Sequence, residues 1–364
     1  MSDLNWTLLA ASILVAATPI LLAAIGELVV EKAGVLNLGV EGMMIVGAVT
    51  GFIAAVETGS PAIGFLAGAA GAVLLSLVFG VLTQFLMSNQ VATGLALTLF
   101  GLGLSALIGQ GYVGIKAPRM PDLPFGELVE IPFLGPVLFR QDAMVWIAFG
   151  LVAAVWWFLR ATRAGLILRA VGEGAEAAHA LGYRVALVRL AAIAFGGAMA
   201  GLGGAYISLA RVPQWTEGMT AGAGWIALAL VVFGAWRPWR VLLGAWLFGG
   251  AEALQLRLQA ADIRFSVSYS IAFALVCIAL ILGAVMWNRY RPGIILSVSG
   301  GILFAGLLAP VLLGDLGRFA LPVELLSMSP YLVTILVLVI ISSGRARTSL
   351  AAPADLGRPF HAAA

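Results

Sequence analysis

Apolar runs of nearly twenty residues, separated by short polar or Gly/Pro breaks, recur from Trp6 to Ile341. An α-helix needs about 20 consecutive apolar residues to cross the hydrocarbon core of a bilayer. Hydrophobic residues make up 62% of the chain and charged ones 10%, whereas a soluble domain carries roughly 25% charged residues to keep its surface wet. Lipid is therefore the solvent this sequence expects. The runs are rich in Gly, Ala and Leu and lack period-two alternation, which leaves helices rather than an outer-membrane barrel as the spanning elements. The expected fold is all-α, a polytopic transmembrane helical bundle of about 9–11 spans, some of them short or discontinuous.

Helices are expected at residues 7–30, 38–56, 61–87, 91–110, 143–160, 187–210, 222–236, 240–256, 268–287, 293–313 and 324–343. The bundle then fills residues 1–344 and leaves a cytoplasmic tail at 345–364. The segments at 38–56, 222–236 and 240–256 are short or interrupted by glycine, the pattern of re-entrant or broken helices. The first run follows Met1, Ser2 and Asp3 with no basic segment before it, so it is expected to stay as a span rather than be removed as a signal.

Charge fixes the orientation. The loop at 160–189 holds Arg160, Arg163, Arg169, Arg184 and Arg189 against Glu173 and Glu176, and the positive-inside bias places it in the cytoplasm. Counting spans outward puts Gly111–Asp142 outside, and the Arg237–Arg240 turn, the Asn288–Arg291 turn and the Arg345/Arg347 tail inside. The N-terminus is then extracytoplasmic and the C-terminus cytoplasmic. A net charge of +3, with Lys and Arg scattered over loops, implies no nucleic-acid partner.

Two stretches carry more than hydropathy. GELVVEKAGVLNLGVEGMM, starting at Gly26, sets Glu27, Glu31, Asn37 and Glu41 in or beside an apolar region, where ionised groups face a cavity or the protein interior. They fit either a cytoplasmic turn that caps helix ends or the lining of a pathway. In the basic loop, Gly174 and Gly182 bracket a short helix with Glu173 and Glu176 near its N-terminus. Ala175, Ala177, Ala178 and Ala180 give that helix little bulk, which suits either a partner groove or the membrane surface. Beyond it, Gly196, Gly197, Gly201, Gly203 and Gly204 have the spacing of tight helix packing.

Other chemistry is missing from the motifs. Lys32 and Lys116 are the only lysines and neither lies in a G-x-x-x-x-G-K-[ST] context, so no cofactor is expected on this chain and ATP would be used by partner subunits. His179 and His361 have no metal-ligand spacing, so no metal site is expected, and the lone Cys277 excludes an intrachain disulfide. No G-x-S-x-G elbow or long soluble segment offers a catalytic domain.

The strings EKAGVLNLGVEGMM, NQVATGLALTLFGLG, LRAVGEGAEAAHALGYRV, GMTAGAGWIALALVVFGAWRP and PADLGRPF resemble the ABC-importer permeases of the branched-chain amino acid and ribose superfamily, and most closely its nucleoside and purine branch. The resemblance implies a multi-pass subunit of a bacterial inner membrane working by alternating access, with nucleosides or purines as substrate and a sugar or branched-chain amino acid as the alternative. It also implies ABC ATPase subunits, a second permease subunit, identical or homologous, and an extracytoplasmic substrate-binding protein as partners. Glu173, Glu176, Ala177, Ala178 and Gly182 would form the ATPase coupling helix, residues 174–182. Asn37, Glu41, Asn89, Gln90, Thr93 and Trp225 are the polar and aromatic candidates for the pathway, the indole offering a face on which a base can stack. Lys32 stands where the family usually has Arg, and Glu176-Ala177-Ala178 then Gly182 resembles the EAA-x-x-x-G loop of importer permeases without that pattern's hydrophobic-Pro end. Residues 263–320 look like an insertion of two helices, because ADIRF and LPVELL would otherwise nearly join. The rival from another class is an ion-coupled secondary transporter with Glu41 and Glu252 as the carriers.

The charge frame predicts that a reporter fused after Arg345 reads cytoplasmic and one placed within Gly111–Asp142 reads extracytoplasmic. Swapped signals would invert the topology.

Overall fold

The computed structural model describes residues 6–121, 123–260 and 352–360, with short pieces at 264–266 and 318–320 and a few isolated positions. The chain divides into two compact units, residues 1–249 with 351–364, and residues 250–350. The helices are α1 (Trp6–Lys32), α2 (Val40–Thr58), α3 (Pro61–Gln84), α4 (Gln90–Gly109), α5 (Ala143–Ala161), α6 (Arg163–Glu173), α7 (Ala175–Ala180), α8 (Val185–Tyr206), α9 (Ala223–Phe233) and α10 (Pro238–Ala260). Among the described residues, six helical stretches are long and apolar enough to cross a membrane: α1 to α5 and α8 with its continuation to Arg211.

Local signals set the helix ends. Pro61 opens α3 behind Ser60, where a missing N–H costs nothing. Asn89 caps α4 by accepting from the Ala92 N–H at 3.0 Å, Asp142 caps α5 through the Met144 and Val145 N–H groups, and Thr162 caps α6 through Gly165.

In the first unit α8 is the hub. A side chain on Gly196 would strike Val30 of α1, one on Gly197 would strike Ser76 of α3, and one on Gly204 would strike the Met44 carbonyl of α2. The glycine stripe expected for tight packing thus serves three neighbours, one per face. Gly201 meets both the Gly68 carbonyl and Ala72 of α3, and Gly47 of α2 lies against Gly201. With lipid as solvent, such close backbone approach supplies the dispersion that holds helices together.

The expected helices up to residue 260 are present, with two differences. The segments at 38–56 and 240–256, read as possibly broken, are the continuous helices α2 and α10; the glycines of α2 are packing sites, not breaks. α9 is short, 11 residues, or about 16 Å at 1.5 Å per residue and half the membrane core. The helices expected at 268–287, 293–313 and 324–343 fall almost wholly outside the described residues, as do Cys277, His361 and the 345–347 tail.

The first unit has two ends of different character. The end of α1, the α6–α7 loop, the turn after α9 and residues 353–360 meet at one. At the other, Tyr112 bonds Glu57 at 2.7 Å and Lys116 bridges Gln214. The 160–189 loop and the turn after α9 therefore share one end, the end that the charge frame makes cytoplasmic. In the second unit, β1 (Arg264–Ser266) and β2 (Arg318–Ala320) pair antiparallel with Phe265 opposite Phe319.

Gly201→Ala puts a methyl into the α3 backbone and is expected to cost about 1–3 kcal/mol, the range for overpacking. Gly103→Ala, with nothing within 4 Å of the added carbon, is the neutral control. Melting temperatures of the purified variants in detergent check the pair; equal values would remove α8 as the packing hub.

Candidate functional site

The site grows from the connection between α1 and α2. α1 ends at Lys32, and Gly34 follows with φ +84°, a left-handed conformation open to glycine at little cost. The chain then turns back along α1. The Asn37 N–H reaches Glu27 Oε1 at 3.3 Å, ten positions upstream, so α2 begins inside the protein rather than at its edge. The Asn37 side chain is buried; its Oδ1 accepts from the Gly39 N–H at 3.0 Å and its amide meets Met43 Sδ at 3.5 Å. Leu36 N–H donates to Gln90 Oε1 at 2.8 Å, and Thr98 Oγ1 donates to the Leu38 carbonyl at 3.1 Å. Side chains of α1 and α4 thus replace the water that a surface loop would use. A buried donor left without its partner costs about 1–3 kcal/mol.

The short helix α9 is anchored to the same connection. Glu41, in the first turn of α2, accepts from Thr220 Oγ1 at 2.8 Å and from the Gly224 N–H at 2.7 Å. Its carboxylate therefore meets the N-terminus of α9, where unpaired N–H groups and the helix dipole favour negative charge. Just past the other end of α9, the Trp236 indole N–H donates to Glu31 Oε2, and Lys32 Nζ lies 6.0 Å from the Trp236 ring centroid. Half-helix N-termini present backbone charge to solutes in many transporters; here Glu41 takes that end of α9. Trp225 follows Gly224 directly and is 52% exposed.

Residues 9–282 match the family model described as "Branched-chain amino acid transport system / permease component". The chain belongs to that permease family. It is 47% identical over 248 residues to a putative glucose ABC transporter permease, TsgC13, of Haloferax volcanii, covering 67% of this chain and 75% of that protein. It is 32% identical over 256 residues to the guanosine ABC transporter permease NupQ of Bacillus subtilis (67% and 80% covered). It is also 31% identical over 255 residues to the nucleoside ABC transporter permease NupC of Lactococcus lactis (66% and 80% covered). No solved structure matches. The protein is thus an integral membrane ABC transporter permease subunit. The ion-coupled alternative built on Glu41 and Glu252 does not stand beside this membership, and both Glu41 oxygens are engaged by α9 and the residues before it.

Of the pathway candidates, the permease brings Asn37, Glu41 and Gln90 together as buried struts of the connection. Asn89 is the exposed cap of α4, and Thr93 bonds Ser88 at 2.9 Å across the same turn. Trp225 follows Gly224, whose N–H holds Glu41, and its side chain is exposed on α9.

At the end that the charge frame makes cytoplasmic, α7 runs between Gly174 and Gly182 as the bracketing glycines imply. Gly182 has φ +88°, its N–H bonds the His179 carbonyl at 2.8 Å, and the Tyr183 N–H bonds the Ala178 carbonyl at 3.1 Å, a Schellman ending. The alanines do not share one role. Ala175 and Ala178 are buried with Val171, Val185 and Phe360, so their small size serves packing within the chain. Glu176, Ala177, Ala180 and Leu181 form the outer face, with Leu181 76% exposed. Glu173 ends α6, and its carboxylate accepts from the Ala354 N–H at 3.4 Å.

Arg189 was grouped with the loop cations, yet it is fully buried, donating from Nε to the Ala33 carbonyl at 3.2 Å and from Nη1 to the Arg358 carbonyl at 3.0 Å. Its place within the apolar run VALVRLAAIAF was the available signal, because an ionised group there faces the protein interior. The sequence reading also missed Trp215, buried against Gly109, and Asp142, whose second oxygen accepts from Tyr206 at 2.6 Å.

Glu41→Ala strands two donors and is expected to cost about 1–3 kcal/mol per unpaired group. Glu41→Gln keeps an acceptor for Gly224 and retains most stability and uptake. Detergent melting curves and uptake assays check this; loss of uptake in a stable Glu41→Gln protein would show that charge, not capping, is the role.

Proposed function

We propose that this permease conducts a neutral, hydroxyl-rich solute of the sugar or nucleoside class by alternating access. Solute would arrive from an extracytoplasmic binding protein, a second permease subunit would complete the pathway, and separate ATPase subunits docked on α7 would supply ATP hydrolysis. The observation that carries the reading is α9, a half-helix that starts inside the protein with the exposed indole of Trp225 in its first turn. An aromatic face stacks on a purine base and equally on the apolar face of a sugar ring. The resemblance alone favoured nucleosides or purines, but 47% identity to a putative glucose permease against 32% to a guanosine permease supports giving the sugar at least equal weight. The outer face of α7 supports the docking assignment: Glu176, Ala177 and Leu181 are exposed beside a helix ending held by Gly182. Residues 263–320 are proposed as an insertion into the permease, a reading supported by the pairing of the segment's two ends.

Uptake of labelled glucose and labelled guanosine by cells carrying the complete transporter tests the solute class, and saturable uptake of neither would overturn it. Trp225→Ala is expected to raise the apparent KM about 2- to 10-fold, the equivalent of one aromatic contact, while Trp225→Phe recovers most of the loss. For docking, Leu181→Asp is expected to release the ATPase subunit from the purified complex without lowering the yield of permease; full retention would remove α7 as the contact.

A further inference from the structure

We infer that the C-terminal segment 353–360 is a strap that positions α7, tying the proposed ATPase-docking helix to the buried α1–α2 connection through Asp355 and Phe360. The inference rests on α7 being that docking helix.

A six-residue helix has too few internal hydrogen bonds to persist by itself, and α7 has no side-chain cap, because Gly174 occupies the cap position. The tail supplies what is missing. Asp355 Oδ2 accepts from the Ala175 N–H, the first of α7, at 2.7 Å, and the Asp355 N–H donates to the Gly172 carbonyl at 3.0 Å. One residue thus clamps both sides of the junction between α6 and α7. Arg358 Nη1 stands 3.6 Å from Asp355 Oδ1. Five residues beyond Asp355, the Phe360 ring covers the apolar cluster of Val171, Ala175, Ala178 and Val185 and meets the His179 ring edge-on at 5.3 Å.

The same segment grips the connection. The Gly357 N–H donates to the Gly34 carbonyl at 3.1 Å, and Arg189 joins the Arg358 carbonyl to the Ala33 carbonyl. The three backbones close around the Arg189 guanidinium, whose Nη2 would lie 3.0 Å from a Cβ on Gly34. A Cβ on Gly34 would lie 3.3 Å from both the Asp355 carbonyl and Gly172 Cα, and one on Gly172 would strike the Lys32 carbonyl. From α7 to the residues that hold Asn37 and α9, the path is therefore a short chain of backbone hydrogen bonds and direct contacts. Displacement of α7 by a partner is passed to the connection, whereas a loose tail would let α7 move alone.

The test uses the complete transporter in proteoliposomes, with ATPase subunits and binding protein, and reads three quantities: ATPase subunit bound, ATP hydrolysed, and solute moved per ATP. Asp355→Ala is expected to leave the first two near wild type and to lower the third roughly tenfold, the equilibrium equivalent of one hydrogen bond to a charged group. Asp355→Asn keeps an acceptor for the Ala175 N–H and recovers most of the ratio. An unchanged ratio in Asp355→Ala, or a fall in bound ATPase that accounts in proportion for the fall in transport, would overturn the strap. Should Asp355→Ala fail to fold, Phe360→Leu, which loosens the cover without opening the clamp, is read by the same ratio. Leu181→Asp separates the two ideas: full ATPase binding in that variant sinks the docking assignment, while release there with normal coupling in Asp355→Ala sinks the strap alone.

Discussion

Burying a carboxylate away from water is expensive unless hydrogen-bond donors replace the water it loses, and this permease buries three around one interhelical connection. Glu27 takes the Asn37 N–H, Glu31 the Trp236 indole, and Glu41 the Thr220 hydroxyl and the Gly224 N–H. None of these donors comes from the helix that carries the carboxylate it serves. Each therefore fixes a second segment: Glu27 the returning connection, Glu41 the start of α9, Glu31 its end. The course of α1 into α2 and the position of α9 follow from satisfying these oxygens.

That arrangement bears on movement. α9 is held at both ends by residues flanking the connection, so a shift of α1 against α2 carries α9 and the exposed Trp225 with it. The knot is also not saturated: Glu27 Oε2 and Gln90 Nε2 are buried without a partner among the described residues.

What the sequence made legible was whatever depends on local composition. The apolar runs marked the described spans, Gly174 and Gly182 marked the ends of α7, and the glycines of α8 announced close packing. Less legible were the pairings between distant positions. Glu41 and Gly224 are 183 positions apart, and Asp355 and Ala175 are 180; no periodicity reports such a contact. The same limit explains why Ala175 and Ala178 read like their neighbours: which alanines face inward depends on where Phe360 lies. The 38–56 segment looked glycine-broken because spacing alone does not distinguish a glycine that ends a helix from one, such as Gly42, that admits a neighbour's backbone. The sequence also placed Arg189 with the loop cations, although the apolar residues around it indicated burial.

The two ends of the first unit differ in how they are joined, and the difference fits a protein driven from one side. At the opposite end, among the described residues, Tyr112 bonds Glu57 and Tyr206 bonds Asp142 through side chains, beside short bridges between residues 113–117 and 213–215. At the cytoplasmic end the α1–α2 connection, the α6–α7 junction and the tail meet through backbone groups. Side chains change rotamer on fast timescales, whereas a backbone held by hydrogen bonds on several sides moves as a unit. On the docking proposed for α7, force delivered there would therefore pass to the α1–α2 connection through backbone groups, while the opposite end, joined more through side chains, is the easier one to open.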